Sequence, residues 1–384
     1  MKTAIVHEWL ISYAGSERVL GQIAGLYPDA DIYSLLDFLP DGERDFIFNK
    51  HVNTSFIQKL PMAKEKYRNY LLLMPFAIKR FDLSGYDLII TSSHTVAKGV
   101  KKYPGQLHIC YCHTPMRYIW DLQSQYLKES GLDRGIRGVI LKALFSGLRK
   151  WDVATSKNVD HFIANSHYIK ERIKKAYGRD SEVIYPPVDI ENFKVNEKKE
   201  DFFIAVSRMV PYKKMDLIVE AFSEMGLPLI VIGDGPDFGK VKRKAAKNIE
   251  LMGHLKVDVL KMYMQKARAL VFAAEEDFGI VPVEAQACGT PVIAFGKGGI
   301  RETVIPLSEK EAPGMELKHP TGIFFNEQTT SALIDAIKRF EKIEERFNPY
   351  DLRRNAEKFS KERFDKEFRN FINGKTAGFS NKAI

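Results

Sequence analysis

Residues 269–285 read ALVFAAEEDFGIVPVEA: a short apolar run, three consecutive acids, a glycine, and a second apolar run carrying one proline and one more acid. Ala269–Ala273 has the length and bounds of a strand buried on both faces. Pro282 has a fixed φ and no N–H, which suits the first turn of a helix, so a helix is predicted over Pro282–Cys288. Strand, acidic loop and helix make half of a βαβ unit. Working outward, strand candidates Phe202–Ser207, Pro228–Ile232, Ile249–Met252, Ala269–Ala273, Pro291–Phe295 and Gly322–Phe325 alternate with segments of helical period. Those segments are Lys213–Met225, Phe238–Lys247, Val257–Lys266, Pro282–Cys288 and Thr330–Phe340. Such alternation predicts a doubly wound parallel sheet.

The first half shows strand candidates at Thr3–Val6, Leu88–Ser92, Leu107–Cys112, His161–Ala164 and Val183–Tyr185, with helices at Ser16–Leu26 and His167–Tyr177. A second doubly wound domain fits this pattern. Pro186, Pro187 and the charged stretch Glu191–Asp201 separate the halves, because Pro-Pro cannot continue a helix and a polar run has little to bury. The expected division is residues 1–190, a linker at 191–201, residues 202–348, and a C-terminal helical segment at 349–384. In that last segment Leu352, Phe359, Phe364, Phe368 and Phe371 recur at rough helical spacing, and it is expected to cross the domain junction.

The chain has 384 residues, 58 basic against 49 acidic side chains and a net charge of +9, with a composition that suits two globular domains. Three cysteines, Cys110, Cys112 and Cys288, are too few for a disulfide framework and point to a reducing compartment, the cytoplasm. His7 and Glu8 interrupt the N-terminal apolar run before a secretory segment forms, and no stretch has the length of a spanning helix. The basic balance invites an acidic partner. Without a long Lys/Arg tract, zinc-finger spacing or a basic-aromatic signature, nucleic acid is not expected.

Ligands of open parallel sheets sit outside the carboxyl ends of the strands, which is where Glu275–Asp277 fall. Glu276 on the loop and Glu284 within the helix are acceptors at two depths, able to hold two groups of hydroxyls such as those of a sugar and a ribose. The Gly279–Ile280 amides near the helix start suit an anion. A solvated acidic loop that only supplies helix-start charge is the alternative. Arg208 offers a planar fork to phosphate oxygens and Lys213 a movable point charge, so the pair can stabilise charge growing on a departing diphosphate without a metal. Lys214 is expected at the surface.

Gly15 and Ser16 open a helix after the first strand, and their amides can contact phosphate; Ser16 as a plain helix cap is equally open. The spacing is not Gly-x-Gly-x-x-Gly, which argues against a dinucleotide-dependent dehydrogenase. His113 ends a strand. His108, Cys110 and Cys112 share a strand face, but a lone Cys-x-Cys reads as small core side chains and not as a metal site. Asn165-Ser166, before the helix beginning near His167, is expected to be a helix cap. Two stretches, Lys59–Phe81 and Arg134–Trp151, interleave cations with large apolar groups, so an anionic membrane surface is a further candidate partner.

Glu276 through Glu284 resembles the Glu-x7-Glu motif of the retaining GT-B glycosyltransferases of family four. Ser207–Lys214 is similar to that family's segment supplying an arginine and a lysine to the donor pyrophosphate, and Val231–Pro236 and Cys288–Ala294 are also typical of it. The resemblance covers nearly the whole chain and implies two Rossmann-like doubly wound domains facing a central cleft. The family usually has two consecutive glycines before the small residue and glutamate, whereas Ala14 here replaces the first.

Under this resemblance the catalytic residues are His113, Arg208, Lys213 and Glu276. The donor-binding residues are Gly15, Ser16, Gly233, Phe278, Gly279, Ile280 and Glu284, with no metal and no cofactor beyond the nucleotide-sugar donor. Segments Asp31–Asp37, Thr91–Val100 and His108–Trp120 resemble bacterial mannosyltransferases of O-antigen and exopolysaccharide assembly, which implies GDP-mannose as donor and a lipid-linked glycan as acceptor. A UDP-hexose donor, a nucleotide-sugar epimerase and a non-catalytic nucleotide-sugar-binding protein are the alternatives.

Overall fold

The computed structural model describes residues 1–120, 135–307 and 319–380. Arg134, at the start of the second basic-apolar stretch, lies outside the described residues. The chain forms two compact units, Met1–Pro187 with Phe364–Ile384, and Val188–Arg363.

The first unit holds a parallel sheet of seven strands: β1 Thr3–His7, β2 Asp31–Ser34, β3 Val52–Thr54, β4 Leu88–Ser93, β5 Leu107–Cys112, β6 His161–Ala164 and β7 Ser181–Val183. Their order is β3-β2-β1-β4-β5-β6-β7, so the direction of winding reverses between β1 and β4. Side-chain alternation divides the core into two layers. Ala4, Val6 and Ile89 face Met74, Ile78 and Phe145. Ile5, Leu88, Ile90 and Tyr111 face Leu20 and Ile23 of the helix Gly15–Leu26, together with Phe364 and Phe368.

The second unit is a six-stranded parallel sheet: β8 Phe203–Val206, β9 Leu229–Ile232, β10 Ile249–Gly253, β11 Leu270–Phe272, β12 Val292–Phe295 and β13 Gly322–Phe325. Its order, β10-β9-β8-β11-β12-β13, reverses between β8 and β11. Phe203, Ala205, Val271 and Ile293 pack one face against Phe222 and Phe340.

Several expectations shift. The predicted linker is docked on the second unit: Phe193 is buried, the Asn196 amide donates to Cys288 (3.2 Å) and the Glu200 amide to Lys266 (2.7 Å). The division falls at Pro187–Val188 because those backbone donors find partners in the second unit. At the other end, Pro349–Glu357 places Leu352 in the second unit's core, while the helix Lys361–Ser380 gives Phe364, Phe368, Phe371 and Ile372 to the first. The helix predicted from Lys213 starts at Met215, since Pro211–Lys213 forms a separate 3₁₀ turn and Lys214 is left-handed at φ 56°.

Candidate functional site

In the second unit the loops leaving β8 and β11 are neighbours, because Ile204 pairs with Leu270 in adjacent parallel strands. That adjacency brings Lys213 to Glu276: the ammonium of Lys213 contacts Glu276 Oε1, with the two side chains 17% and 19% exposed. The pair is therefore within reach of solvent and of a ligand. Glu276 is fixed through its main chain, whose carbonyl accepts from the Gly299 amide at 2.8 Å. A Cβ on Gly298, at φ +88°, would lie 2.4 Å from that same carbonyl, so only glycine allows the approach. Glu275 pairs with Lys297 at 3.2 Å.

Gly233 directly follows β9 at φ +137°, and a Cβ there would stand 1.9 Å from the Ser207 carbonyl. It thus acts by permitting the β8 and β9 loops to close on each other. Gly279 (φ +96°) precedes the helix Ile280–Ala287, which begins two residues before the predicted start and carries Glu284, 1% exposed. Ile280 is half-buried. The Phe278 side chain is core, edge-on to Phe359 with ring centroids 5.4 Å apart. Arg208 is exposed. The structure thus joins Lys213 to Glu276 and leaves Arg208 apart from that contact.

The first unit gathers a different set at its own reversal point. His7 ends β1 and Glu8 follows it, Ser92 and Ser93 end β4 with His94 next, and His113 comes directly after β5. Glu8 is fully buried. Its carboxylate accepts from Ser93 Oγ (3.0 Å) and from the amides of His94, Thr95, Val96 and Ala97 at 2.7–3.1 Å. His113 Nε2 lies 2.8 Å from Ser92 Oγ, which lies 3.1 Å from His7 Nδ1, while His7 Nε2 is 3.4 Å from Glu17 Oε1. His94 stands 6.1 Å, centroid to centroid, from each of His7 and His113, and its Nδ1 is buried without a hydrogen-bond partner.

Burial pulls His113 well below the ordinary histidine range, helped by His94 and His7, so it is neutral at pH 7. Burial opposes the charge on Glu17, but the hydrogen bond with His7 helps to outweigh it, and the carboxyl is held below its usual range. Its Oε2 also accepts from the Ala14 amide (3.1 Å) and the Ser16 hydroxyl (3.0 Å). Ala14, and not Ser16, is the residue before the helix; Ser16 sits in the first turn beside Gly15, and both are half-buried. Of the expected cap Asn165-Ser166, Ser166 is the capping residue, its hydroxyl accepting from the Ile169 amide at 3.1 Å.

His7, Glu8, Glu17, Ser92 and His94 were not read as site residues from sequence. The available signal was polarity at the carboxyl end of an otherwise apolar strand. His108, Cys110 and Cys112 are buried, with His108 Nε2 3.1 Å from Thr91 Oγ1 and its pKa pulled down to about 4 by burial. Among the described residues no group of His, Cys, Asp and Glu has the arrangement of a metal site.

Two doubly wound parallel sheets, each with polar side chains collected at its reversal point, define a GT-B protein. Solved structures of similar fold include the Anabaena HepE protein in complex with UDP (TM-score 0.69, 16% identity, 97% of this chain and 100% of that one). Another is sucrose-phosphate synthase from Thermosynechococcus elongatus (TM-score 0.72, 18% identity, 98% and 100%). Residues 15–192 match Glycosyltransferase Family 4 and residues 188–363 match Glycosyl transferases group 1, and the chain belongs to the glycosyltransferases of this family.

Curated relatives include an uncharacterized glycosyltransferase of Methanocaldococcus jannaschii, 33% identical over 218 residues, 54% of this chain and 62% of the relative. The O-antigen chain mannosyltransferase of Salmonella typhimurium is 30% identical over 222 residues, 54% of this chain and 61% of the relative. This chain therefore spans about three fifths of the length of those relatives.

Proposed function

We propose that this protein is a retaining hexosyltransferase that moves mannose from GDP-mannose to a hydroxyl of a lipid-linked glycan in cell-surface polysaccharide biosynthesis. The contact between Lys213 and Glu276 carries the reading, since it sets a cation for phosphate and an acceptor for sugar hydroxyls side by side at the reversal point of the second sheet. Support for mannose comes from the Salmonella relative and from a Corynebacterium glutamicum GDP-mannose-dependent mannosyltransferase, 29% identical over 41% of this chain and 50% of that protein.

In the proposed reaction Glu284 holds the ribose, Glu276 the sugar hydroxyls, and the Phe278–Ile280 backbone the sugar and phosphate. Gly233, Gly15 and Ser16 line the donor, and His113 orients the sugar. The acceptor oxygen bonds to the anomeric carbon on the face from which the diphosphate departs. The carbon–oxygen bond to phosphate breaks, its electron pair passes to the phosphate oxygen, and that oxygen takes the acceptor's proton. Arg208 and Lys213 stabilise the growing charge, and no metal is required.

Membrane association at the inner face of the cytoplasmic membrane is part of the proposal. Phe56, Met62, Leu72, Leu73 and Phe76 are exposed within Lys59–Phe81 and its border, beside Lys59, Lys64, Lys66, Arg68, Lys79 and Arg80. No helix among the described residues is long and apolar enough to cross a membrane.

The test is a thermal-shift screen of nucleotide sugars, with product analysis in the presence of an acceptor. Acceptor-dependent diphosphate release supports transfer; interconversion of the donor, or binding alone, rejects it. Preference for a UDP-hexose rejects the donor assignment. Glu276→Ala and Lys213→Ala are each expected to lower turnover about a hundredfold with the fold intact, and near-normal rates in both refute the site.

A further inference from the structure

Among the described residues, an unbroken line of polar contacts joins a carboxylate to His113. It runs from Glu17 Oε1 to His7 Nε2 (3.4 Å), from His7 Nδ1 to Ser92 Oγ (3.1 Å), and from Ser92 Oγ to His113 Nε2 (2.8 Å). His7 is wholly buried and Ser92 likewise, so neither exchanges these partners for water. Each member has a limited stock of protons. A carboxylate only accepts, a neutral imidazole has one N–H, and a serine hydroxyl donates once. With a single N–H on His7, the direction of the whole line is therefore set at its carboxylate end.

With Glu17 ionised, a neutral His7 places its N–H on Nε2, facing Oε1, which leaves Nδ1 as an acceptor. Ser92 then gives its single proton to His7 Nδ1. The Ser92 oxygen, having no proton left for His113, accepts from it instead. His113 must carry its proton on Nε2. We infer that Glu17 is a positioning residue which, through His7 and Ser92, fixes His113 as the Nε2–H tautomer and leaves its Nδ1 a bare acceptor for a substrate hydroxyl. The inference rests on the reading of His113 as the sugar-orienting histidine, and it adds which ring nitrogen receives the sugar's hydroxyl proton and what holds it so.

Two side chains nearby do not compete for this role. Glu8 is fully engaged by Ser93 and four amides, and the His94 ring centroid lies 6.1 Å from those of His7 and His113, with its Nδ1 unpartnered. Glu17 is committed to the line and to the start of its own helix, where Oε2 takes the Ala14 amide. Glu17→Gln keeps that half of a capping box, since glutamine serves at the same helix position. Its amide can accept from or donate to His7 Nε2, so the direction is no longer specified. Ser92→Ala cuts the line without touching the helix start.

The experiment is ¹⁵N–¹H correlation of the imidazole groups in full-length protein labelled at its nine histidines, recorded at pH 8 without donor. Signals of His7 and His113 are assigned by single substitution. In wild-type protein both are expected as Nε2–H tautomers. Glu17→Gln is expected to turn both into mixtures, and Ser92→Ala to do so at His113 alone, with the remaining histidines unmoved. In a transfer assay both variants lower kcat about tenfold or more with KM little changed, as for a histidine held in the wrong tautomer. A wild-type His113 protonated on Nδ1, or a His113 tautomer ratio that either variant leaves unchanged, overturns the inference. Because the spectra need no substrate, that failure is separate from failure of the proposed activity, which appears as absent turnover with the tautomers in place.

Discussion

Glu8→Gln is the sharpest probe of how the first unit is built. The wild-type carboxylate is fully buried and gathers the Ser93 hydroxyl with four consecutive amides, those of His94 through Ala97. The substitution keeps the volume but replaces one accepting oxygen by an NH2 group. If the glutamine oxygen takes the Oε1 position, with its larger share of partners, the NH2 group faces the Val96 amide and that donor is left unsatisfied. One buried charge-assisted hydrogen bond is worth about 1.5–3 kcal/mol, and the surviving bonds weaken with loss of the charge, so about 3 kcal/mol is expected. A chain with two compact units does not offer a single unfolding free energy, so the assay is amide hydrogen exchange in place of global denaturation. At about 1.4 kcal/mol per factor of ten, exchange of the 95–97 amides should accelerate about a hundredfold. The second unit's strands serve as the internal control. Exchange at residues 95–97 within about threefold of wild type would falsify the account of Glu8 as the organiser of that loop.

Gly233→Ala should cost about 2–3 kcal/mol, since the added Cβ meets the Ser207 carbonyl at 1.9 Å and φ is +137°; a melting temperature of the second unit within a degree of wild type refutes this. The native pKa of His108 is about 4, below the unfolded value of about 6.5, so between those values the unfolded chain binds more protons and stability rises with pH. Acidification from pH 7 to pH 5 should remove about 2 kcal/mol through this residue, and His108→Gln should show a correspondingly smaller loss. Phe56→Ser with Phe76→Ser should abolish co-sedimentation with anionic phosphatidylglycerol vesicles, and wild-type protein should ignore neutral ones; equal binding to both vesicle types counts against the basic-apolar patch.

How much of this was legible in the sequence depended on where the information resides. The strands Leu107–Cys112 and His161–Ala164 were read with their observed bounds, because strands buried on both faces are nearly continuous apolar runs. Asp31–Ser34 and Val52–Thr54 escaped notice, being short and half polar at the edge side of the sheet. Lys213 and Glu276 were legible as chemistry, and the adjacency of β8 and β11 then brings them together across 63 residues of chain. The start of the helix at Met215 was not, since it depends on a left-handed Lys214 that no propensity favours. Glu8 was least legible of all: its partners are main-chain amides, which leave no mark on side-chain identity, more than 80 residues downstream.

The two reversal points differ in a way that bears on the proposed division of labour. At both, adjacent strands send their connections to opposite faces of the sheet, which opens a crevice at the carboxyl ends and places the loops leaving those strands at its mouth. In the second unit these loops carry a partly exposed cation–carboxylate pair, Lys213 with Glu276, whose charges can be shared with an incoming anion. In the first unit the charge is already committed. Glu8 is bound to amides and Glu17 to a helix start and a histidine, while the histidine that ends the line, His113, is neutral. A neutral, half-buried imidazole offers one donor and one acceptor, which matches a sugar hydroxyl and not a phosphate. Mobile charge therefore belongs with the diphosphate and fixed neutral polarity with the sugar. An exchange of these preferences, with inorganic diphosphate protecting the histidines of the first unit from exchange while leaving Lys213 reactive toward an acylating reagent, is the result that this reasoning forbids.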